Sequence, residues 1–368
     1  MFKRVYSDRR VLVTGHTGFQ GSWLSAWLLA LEARVSGLGL DPNAKERLFN
    51  DLGLPKKLAS DHRVDMRDAG LVARVIEHVE PDFIFHLAGR RVMRQSIAEP
   101  VETFATNVMG TVNLLEAVRR TARNVTVVVV TSDKVYECRD VDNDLREDAP
   151  LGGRDATSAS QAGMELAVAA YRRTYFSEPF APRVATARAG DAVGGGDWEE
   201  GRLVPDAIRA LRNRQSVPVR NQAATRPWQH ILEPLSGYLW LGVTLERPEL
   251  LDRADATELC SAFNFGPEAS SERTVAELVN EIFAYMPGRW VDAAEAGPPV
   301  EADRCPLSIE KAQRVLGWRP VWDFGETVRE TVSWYQAQSN GKDLMRTSID
   351  QIRRYETAAT AAGQPWTA

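Results

Sequence analysis

Cysteine is scarce: three in 368 residues, Cys138, Cys260 and Cys305, far apart along the chain. They offer neither a disulfide framework nor a metal-binding spacing, so no metal and a reducing, cytoplasmic setting are expected. Long apolar runs are missing too. The most apolar stretch, Val125-Thr-Val-Val-Val-Val130, is far shorter than the roughly 20 residues a membrane-spanning helix needs, so no membrane is expected as partner. Residues 1–10 (MFKRVYSDRR) are charged and lead straight into a strand pattern, without the apolar core of a signal peptide. Positive charge is not in surplus: 45 Lys and Arg face 50 Asp and Glu. That argues against nucleic acid as partner but leaves room for local phosphate sites. Lysine is thin as well. Lys134 is the only one between Lys57 and Lys311. Arginine keeps its proton near neutral pH, whereas a partly buried lysine can release it, which marks Lys134 for proton chemistry. The plainer reading of Lys134 is an ion pair with Asp133 or a neighbour.

What is present reads as an α/β protein. Val11–Val13, Arg34–Leu40, Asp82–Phe85, Val125–Val130 and Val184–Arg188 read as strands. Being apolar on both faces, they suit a buried parallel sheet. Gly21–Leu31, Val101–Arg120 and Ser158–Phe176 read as helices between them. Such alternation predicts right-handed βαβ units and a doubly wound sheet. Beyond about residue 180, Pro and Gly cluster at Gly190–Trp198, Pro267–Ser271 and Pro287–Pro299, with short helices at Val275–Ala284 and Ile309–Leu316. The expected organisation is a dinucleotide-binding domain over 1–185 and a smaller α/β substrate domain over 186–357, interleaved with the first. A tail over 358–368 lacks a periodic face and is expected to fray.

The first strand runs into Thr14-Gly15-His-Thr-Gly18-Phe19-Gln-Gly21 and then into a helix. Glycines at this spacing permit a tight turn and let backbone N–H groups approach a pyrophosphate, which the helix N-terminus then stabilises. Asp41 follows the second strand, where an acidic residue would receive a ribose 2′-hydroxyl, although a turn residue before Pro42 would look the same.

Together with Asp65-Met66-Arg-Asp68, His86-Leu87-Ala88-Gly89, Asn107 and Thr131-Ser-Asp133-Lys134, this loop resembles the extended short-chain dehydrogenase/reductase family of nucleotide-sugar enzymes. Arg188–Trp198, Arg202–Asp206, Arg226–Tyr238, Asn264–Pro267 and Leu316–Trp318 are similar to the CDP-glucose 4,6-dehydratases within it, and the likeness spans about residues 8 to 355. The resemblance implies a Rossmann sheet holding NAD and a C-terminal domain holding a nucleoside diphosphate sugar, CDP- or GDP-hexose. It places Gly15, Gly18, Phe19, Gly21, Asp41, Asp65, Met66, Leu87 and Ala88 on the cofactor. Arg94, Asp191, Arg202, Arg220, Arg226 and His230 fall to the substrate, with Arg226 on its diphosphate. Thr131, Asp133 and Lys134 match the family's catalytic set, in which the Asp and Lys serve water elimination across C5–C6. It also implies a homodimer through the helices Val101–Arg120 and Ser158–Phe176, the second with an alanine-rich face (Ala162, Ala167, Ala169, Ala170). Trp228 and Trp318 read as core rather than as sugar platforms.

The family's catalytic Tyr-x-x-x-Lys is absent. In the aligned run Gly152-Gly-Arg-Asp-Ala-Thr157-Ser-Ala-Ser-Gln161, Thr157 stands for the tyrosine and Gln161 for the lysine, and none of the eight tyrosines has a lysine four residues on. A threonine hydroxyl is far less acidic than tyrosine's, whose reference pKa is about 10. Loss of a general base typically costs about 10² to 10⁴ in rate. Arg90 and Arg91 add charge after the fourth strand, Asp191 replaces an asparagine and Ser308 an aspartate. The leading expectation is therefore a non-redox nucleotide-sugar isomerase, such as a pyranose-to-furanose mutase. Two alternatives stand beside it: a CDP-glucose 4,6-dehydratase with a different base, Tyr136 being the nearest tyrosine, and a non-catalytic nucleotide-sugar-binding relative.

Overall fold

The computed structural model describes residues 1–42, 48–121, 124–137, 144–178, 180–251, 256–293 and 306–368; Cys138, Cys305 and residues 294–299 of Pro287–Pro299 lie outside them. Seven parallel strands form the central sheet: β1 (Arg10–Thr14), β2 (Arg34–Gly39), β3 (Ser60–Arg63), β4 (Phe83–His86), β5 (Thr126–Ser132), β6 (Arg183–Ala189) and, much later, β11 (Ala262–Phe265). Their spatial order is β11-β6-β5-β4-β1-β2-β3. Alternate residues feed two cores. Val11, Val13, Val128 and Val130 face one apolar cluster, while Leu12, Val127 and Val129 face the other. Helices on both sides cover them, as a parallel sheet requires. The strand order reverses between β1 and β4, which opens a crevice at their C-terminal ends.

Six short strands sit outside this sheet: β7 (Ala192–Val193) with β10 (Gln229–His230), β9 (Thr225–Pro227) with β12 (Glu272–Thr274), and β8 (Val217–Val219) with β13 (Trp290–Asp292). The helices used below are α1 (Phe19–Ala30), α2 (Ala69–Val79), α3 (Met93–Ala98), α4 (Gly110–Thr121), α5 (Ala156–Thr174), α6 (Leu203–Arg212), α7 (Leu232–Glu246), α8 (Val275–Tyr285), α9 (Phe324–Ser339) and α10 (Leu344–Ala361). α7 is buried on nearly every side and packs beneath β5 and β6. A helix apolar all round belongs in such a place.

Two expectations need correcting. The helix expected over Val101–Arg120 is interrupted: Pro100–Phe104 passes through a π-turn at Ala105–Met109 before α4 begins. The wide turn carries Asn107 inward, where its amide oxygen accepts from Arg90 N at 2.7 Å and its amide nitrogen donates to Ser160 Oγ at 2.9 Å. π-turns within helices often mark functional sites. Residues 358–368 do not fray either. α10 runs to Ala361, and Trp366 is fully buried, stacked on Phe2 at 4.9 Å and near Tyr355 at 5.9 Å. Replacing Trp366 with alanine is expected to cost about 3–5 kcal/mol in urea unfolding, as for other buried large aromatics; a loss under about 1 kcal/mol would mean the tail is not part of the core. Among the described residues, no helix is long and apolar enough to cross a membrane.

Candidate active site

The glycine loop is shaped by contacts that leave no room for a side chain. Gly15 adopts φ +70°, and a Cβ there would meet Ala88 N at 2.8 Å; a Cβ on Gly21 would lie 2.2 Å from Gly15 O. Gly18 is the N-cap of α1 and no side chain caps it, which leaves first-turn N–H groups of the kind that bind a phosphate. Phe19 opens the helix. His16 is buried behind the loop, bonded to Asp61 at 2.9 Å, and burial disfavours its charged form. On the side of β2 and β3, exposed Asp41 lies 3.6 Å from Arg63, Asp65 is clasped by Arg67, and Met66 is buried. Leu87 and Ala88 line the end of β4. The glycine loop thus packs directly against Leu87 and Ala88 at the C-terminal ends of β1 and β4, and the cradle fits a dinucleotide's pyrophosphate.

At the other end of the crevice, β5 ends in the residues expected to be catalytic. Thr131 donates to Glu165 Oε1 at 2.6 Å, and Glu165 Oε2 accepts from Thr186 at 2.8 Å and Arg188 Nη2 at 2.9 Å. Thr131 is thus a structural anchor here, with its hydroxyl proton committed to Glu165. Ser132 caps a single turn, Asp133–Val135, that carries Asp133 and Lys134 at the C-terminal end of β5. One Asp133 oxygen is shut off from water and has no hydrogen-bond partner among the described residues. Burial raises its carboxyl to about 6, against the pull of the Lys134 ammonium. Lys134 Nζ lies 3.5 Å from Asp191 Oδ2. Asp191 is 64% exposed, so water screens the pair and its worth in stability is small. Its effect is on protonation: Asp191 holds the proton on Lys134, and Lys134 in turn keeps the Asp191 carboxyl well below its usual range. Asp191 thus favours the protonated form of Lys134, in an ion pair of the kind the plainer reading of that residue describes. Arg226, on β9, adds its positive field to all three groups.

The missing redox pair leaves a defined arrangement. α5 starts at Asp155, whose carboxylate accepts from Thr157 N at 2.8 Å and Ser158 N at 3.0 Å. One turn apart, Thr157 and Gln161 face the same side. The Thr157 hydroxyl donates to Ser96 Oγ on α3 at 2.5 Å, and Gln161 Oε1 accepts from Ser132 Oγ at 2.5 Å. Both are buried. Tyr136 does not replace them. Its hydroxyl donates to Asn264 Oδ1 at 2.7 Å and accepts from Arg188 at 2.7 Å, and burial pushes it up to about 12.

The predicted substrate residues do not all converge. Asp191 and Arg226 join the Asp133 cluster, and Arg202 stands beside it, bonded to Asp197 at 2.9 Å at the start of α6. Arg94 is exposed on α3 and Arg220 exposed just past β8. His230 belongs to the core: it is fully buried against Trp23 and Trp322, and burial drives it down to about 3, so it is no substrate ligand. Trp228 and Trp318 are buried, as core residues should be. The two added arginines part company. Arg90 turns outward to Glu99, while Arg91 turns in to donate to Val130 O at 2.9 Å. Sequence reasoning missed Ser132, Glu165 and Ser96, each of which acts through a partner remote in the chain.

A family model described as GDP-mannose 4,6 dehydratase matches residues 12–331. The chain belongs to that family. A CDP-glucose 4,6-dehydratase of Salmonella typhimurium is 38% identical over 367 residues, covering 97% of this chain and 99% of the relative. The dTDP-glucose 4,6-dehydratase 1 of Escherichia coli is 25% identical over 363 residues, covering 93% and 97%. Among solved structures, DesIV of Streptomyces venezuelae, a dTDP-glucose 4,6-dehydratase with NAD and TYD bound, superposes with a TM-score of 0.75 at 27% identity, covering 91% of this chain and 99% of that one. The fold class is therefore the Rossmann-type parallel sheet of these dehydratases. A non-redox mutase, the leading expectation from sequence, has no support among these relatives of the GDP-mannose 4,6 dehydratase family; the dehydratase alternative fits them better.

Proposed function

We propose that the protein is a nucleotide-sugar 4,6-dehydratase acting on a CDP-hexose, with water elimination in the hands of Asp133 and Lys134. The observation that carries this reading is the Asp133–Lys134–Asp191 cluster at the end of β5. A carboxyl near 6 and a lysine kept protonated are a base and an acid in working states at neutral pH. Asp133 removes the C5 proton; Lys134 protonates the departing C6 oxygen. Arg226 and Arg202 take the diphosphate, and residues 186–357 form the substrate domain around it. Gly15, Gly18, Phe19, Gly21, Asp41, Asp65, Met66, Leu87 and Ala88 would hold NAD, which when bound would supply a hydride acceptor for oxidation at C4. The chain aligns no phenol for that oxidation, so the first half of the reaction is slow. A cytoplasmic location accompanies this reading.

The test is incubation with CDP-glucose and NAD, following the alkaline enolate absorbance of a 4-keto-6-deoxy product. Slow but protein-dependent formation is expected, and its complete absence would sink the proposal. The elimination step, followed separately on a 4-keto substrate, should be active above pH about 6 and fail below it as Asp133 takes up a proton. An Asp133→Asn variant should remove that acid limb along with the activity.

The proposal includes a homodimer. Val101, Phe104, Met109 and Leu166 are exposed apolar side chains on the helical path Pro100–Thr121 and on α5. Leu166→Glu is expected to turn a dimer into a monomer in light scattering; an unchanged mass would remove this surface from consideration.

A further inference from the structure

The two halves of the expected chemistry have fared differently in this site. On the elimination side, Asp133 and Lys134 sit side by side at the end of β5; Asp133 keeps one oxygen without a hydrogen-bond partner among the described residues, and Lys134 pairs with Asp191. On the oxidation side, the Thr157 hydroxyl, the Gln161 amide oxygen and the nearest phenol are all engaged. Thr157 donates to Ser96, Gln161 accepts from Ser132, and Tyr136 lies between Arg188 and Asn264. Thr131, beside the cluster, gives its proton to Glu165. A site selected to oxidise a secondary alcohol would not commit both positions to protein–protein hydrogen bonds while keeping a carboxyl and an ammonium group side by side next to them.

We infer that the site is arranged for a nucleotide sugar that arrives already oxidised at C4, and that its own chemistry is elimination of water from this 4-keto hexose. This rests on the dehydratase reading and narrows its substrate. A ketone at C4 acidifies the C5–H bond, which Asp133 faces as base. That bond breaks and its proton passes to Asp133. The electron pair becomes the C5–C6 double bond. The C6–O bond breaks, and the oxygen leaves as water with a proton from Lys134. No electron pair is exchanged with a cofactor, and the C4 carbonyl ends as it began. The product is a 4-keto-5,6-unsaturated nucleotide sugar. The positive charges of Lys134 and Arg226 stabilise the enolate that forms on the way. The substrate must come from a dehydrogenase acting on the C4 alcohol. The unsaturated ketone must be consumed by a reduction or by addition of a nucleophile at C6.

The probe is CDP-4-keto-6-deoxyglucose, made from CDP-glucose with a tyrosine-containing dehydratase and freed of that enzyme. It has the ketone and the C5 proton but no group to expel. In D₂O with the full-length protein, deuterium should enter C5, and the C6 methyl doublet should collapse to a singlet in the proton NMR spectrum. The exchange should run at least about 10²-fold faster than CDP-glucose is dehydrated, since the step it omits lacks its general base. Asp133→Asn should slow it by about 10²-fold or more. Exchange no faster than in buffer, alongside slow dehydration of CDP-glucose, would overturn the inference and leave the dehydratase reading standing. If neither substrate reacts, both fall. Full exchange in the Asp133→Asn variant would also overturn it, because the base would lie elsewhere.

Discussion

Installing tyrosine at 157 and lysine at 161 together is expected to raise turnover of CDP-glucose by about 10² to 10⁴, the usual contribution of a positioned general base. The two positions lie one turn apart on the first part of α5, held by the Asp155 cap, so their spacing is ready for the pair. Gln161 already reaches Ser132 Oγ at the end of β5, and a lysine ammonium there would meet the same hydroxyl. It would also lower the pKa of a neighbouring phenol by its charge. The phenol must leave the Ser96 contact that Thr157 now makes, which its longer side chain can do by turning toward the cleft. Either substitution alone should recover little, since groups that act as a unit are not additive. The measurement is kcat for the 4-keto-6-deoxy product, with NAD binding checked in the same variant. A folded, NAD-binding double variant with unchanged kcat would show that the oxidation is limited by something other than the missing pair.

The second large effect concerns stability. Arg188 and Glu165 form an ion pair that is almost fully buried, at 4% and 2% exposure. Glu165 also receives Thr131 and Thr186, and Arg188 also bonds Tyr136 and the Glu147 carbonyl oxygen, so the surrounding polar groups depend on both partners. Removing one partner leaves a buried charge uncompensated. Arg188→Met is therefore expected to cost about 3–5 kcal/mol in denaturant unfolding. Combining it with Glu165→Leu should recover much of that loss, because neutral pairs of similar shape often substitute well. A single variant as stable as the parent would mean that the carboxyl is solvated or protonated. The pair ties α5 to β6 and, through Thr131, to the strand that presents Asp133 two residues later.

Much of this was legible beforehand because it is local. The glycine loop follows from backbone sterics over seven residues, and the strands from runs of Val and Leu. Asp133 and Lys134 stood out through an otherwise lysine-poor stretch. What was misread depends on contacts between distant residues. His230 looks like a polar ligand within Trp228-Gln-His-Ile, yet Trp23 and Trp322 enclose it. Arg90 and Arg91 are indistinguishable in sequence, but one meets Glu99 and the other Val130 O. The four residues of β11 are too short to declare themselves a strand and gain their place only by pairing with β6. Lys134 stands out in sequence as a lone lysine, but its partner Asp191 lies 57 residues on and is visible only in the fold.

The stacking of Phe2 on Trp366 also bears on how the molecule is made. During synthesis the first residues emerge long before the last, and N-terminal units ordinarily settle first. Here the ring of Phe2, together with Lys3 N, which donates to Ala368 O at 3.2 Å, has to wait for residues more than 360 positions later. The sheet can assemble as it emerges, but the seam between Phe2 and Trp366 closes only once residue 366 has been made.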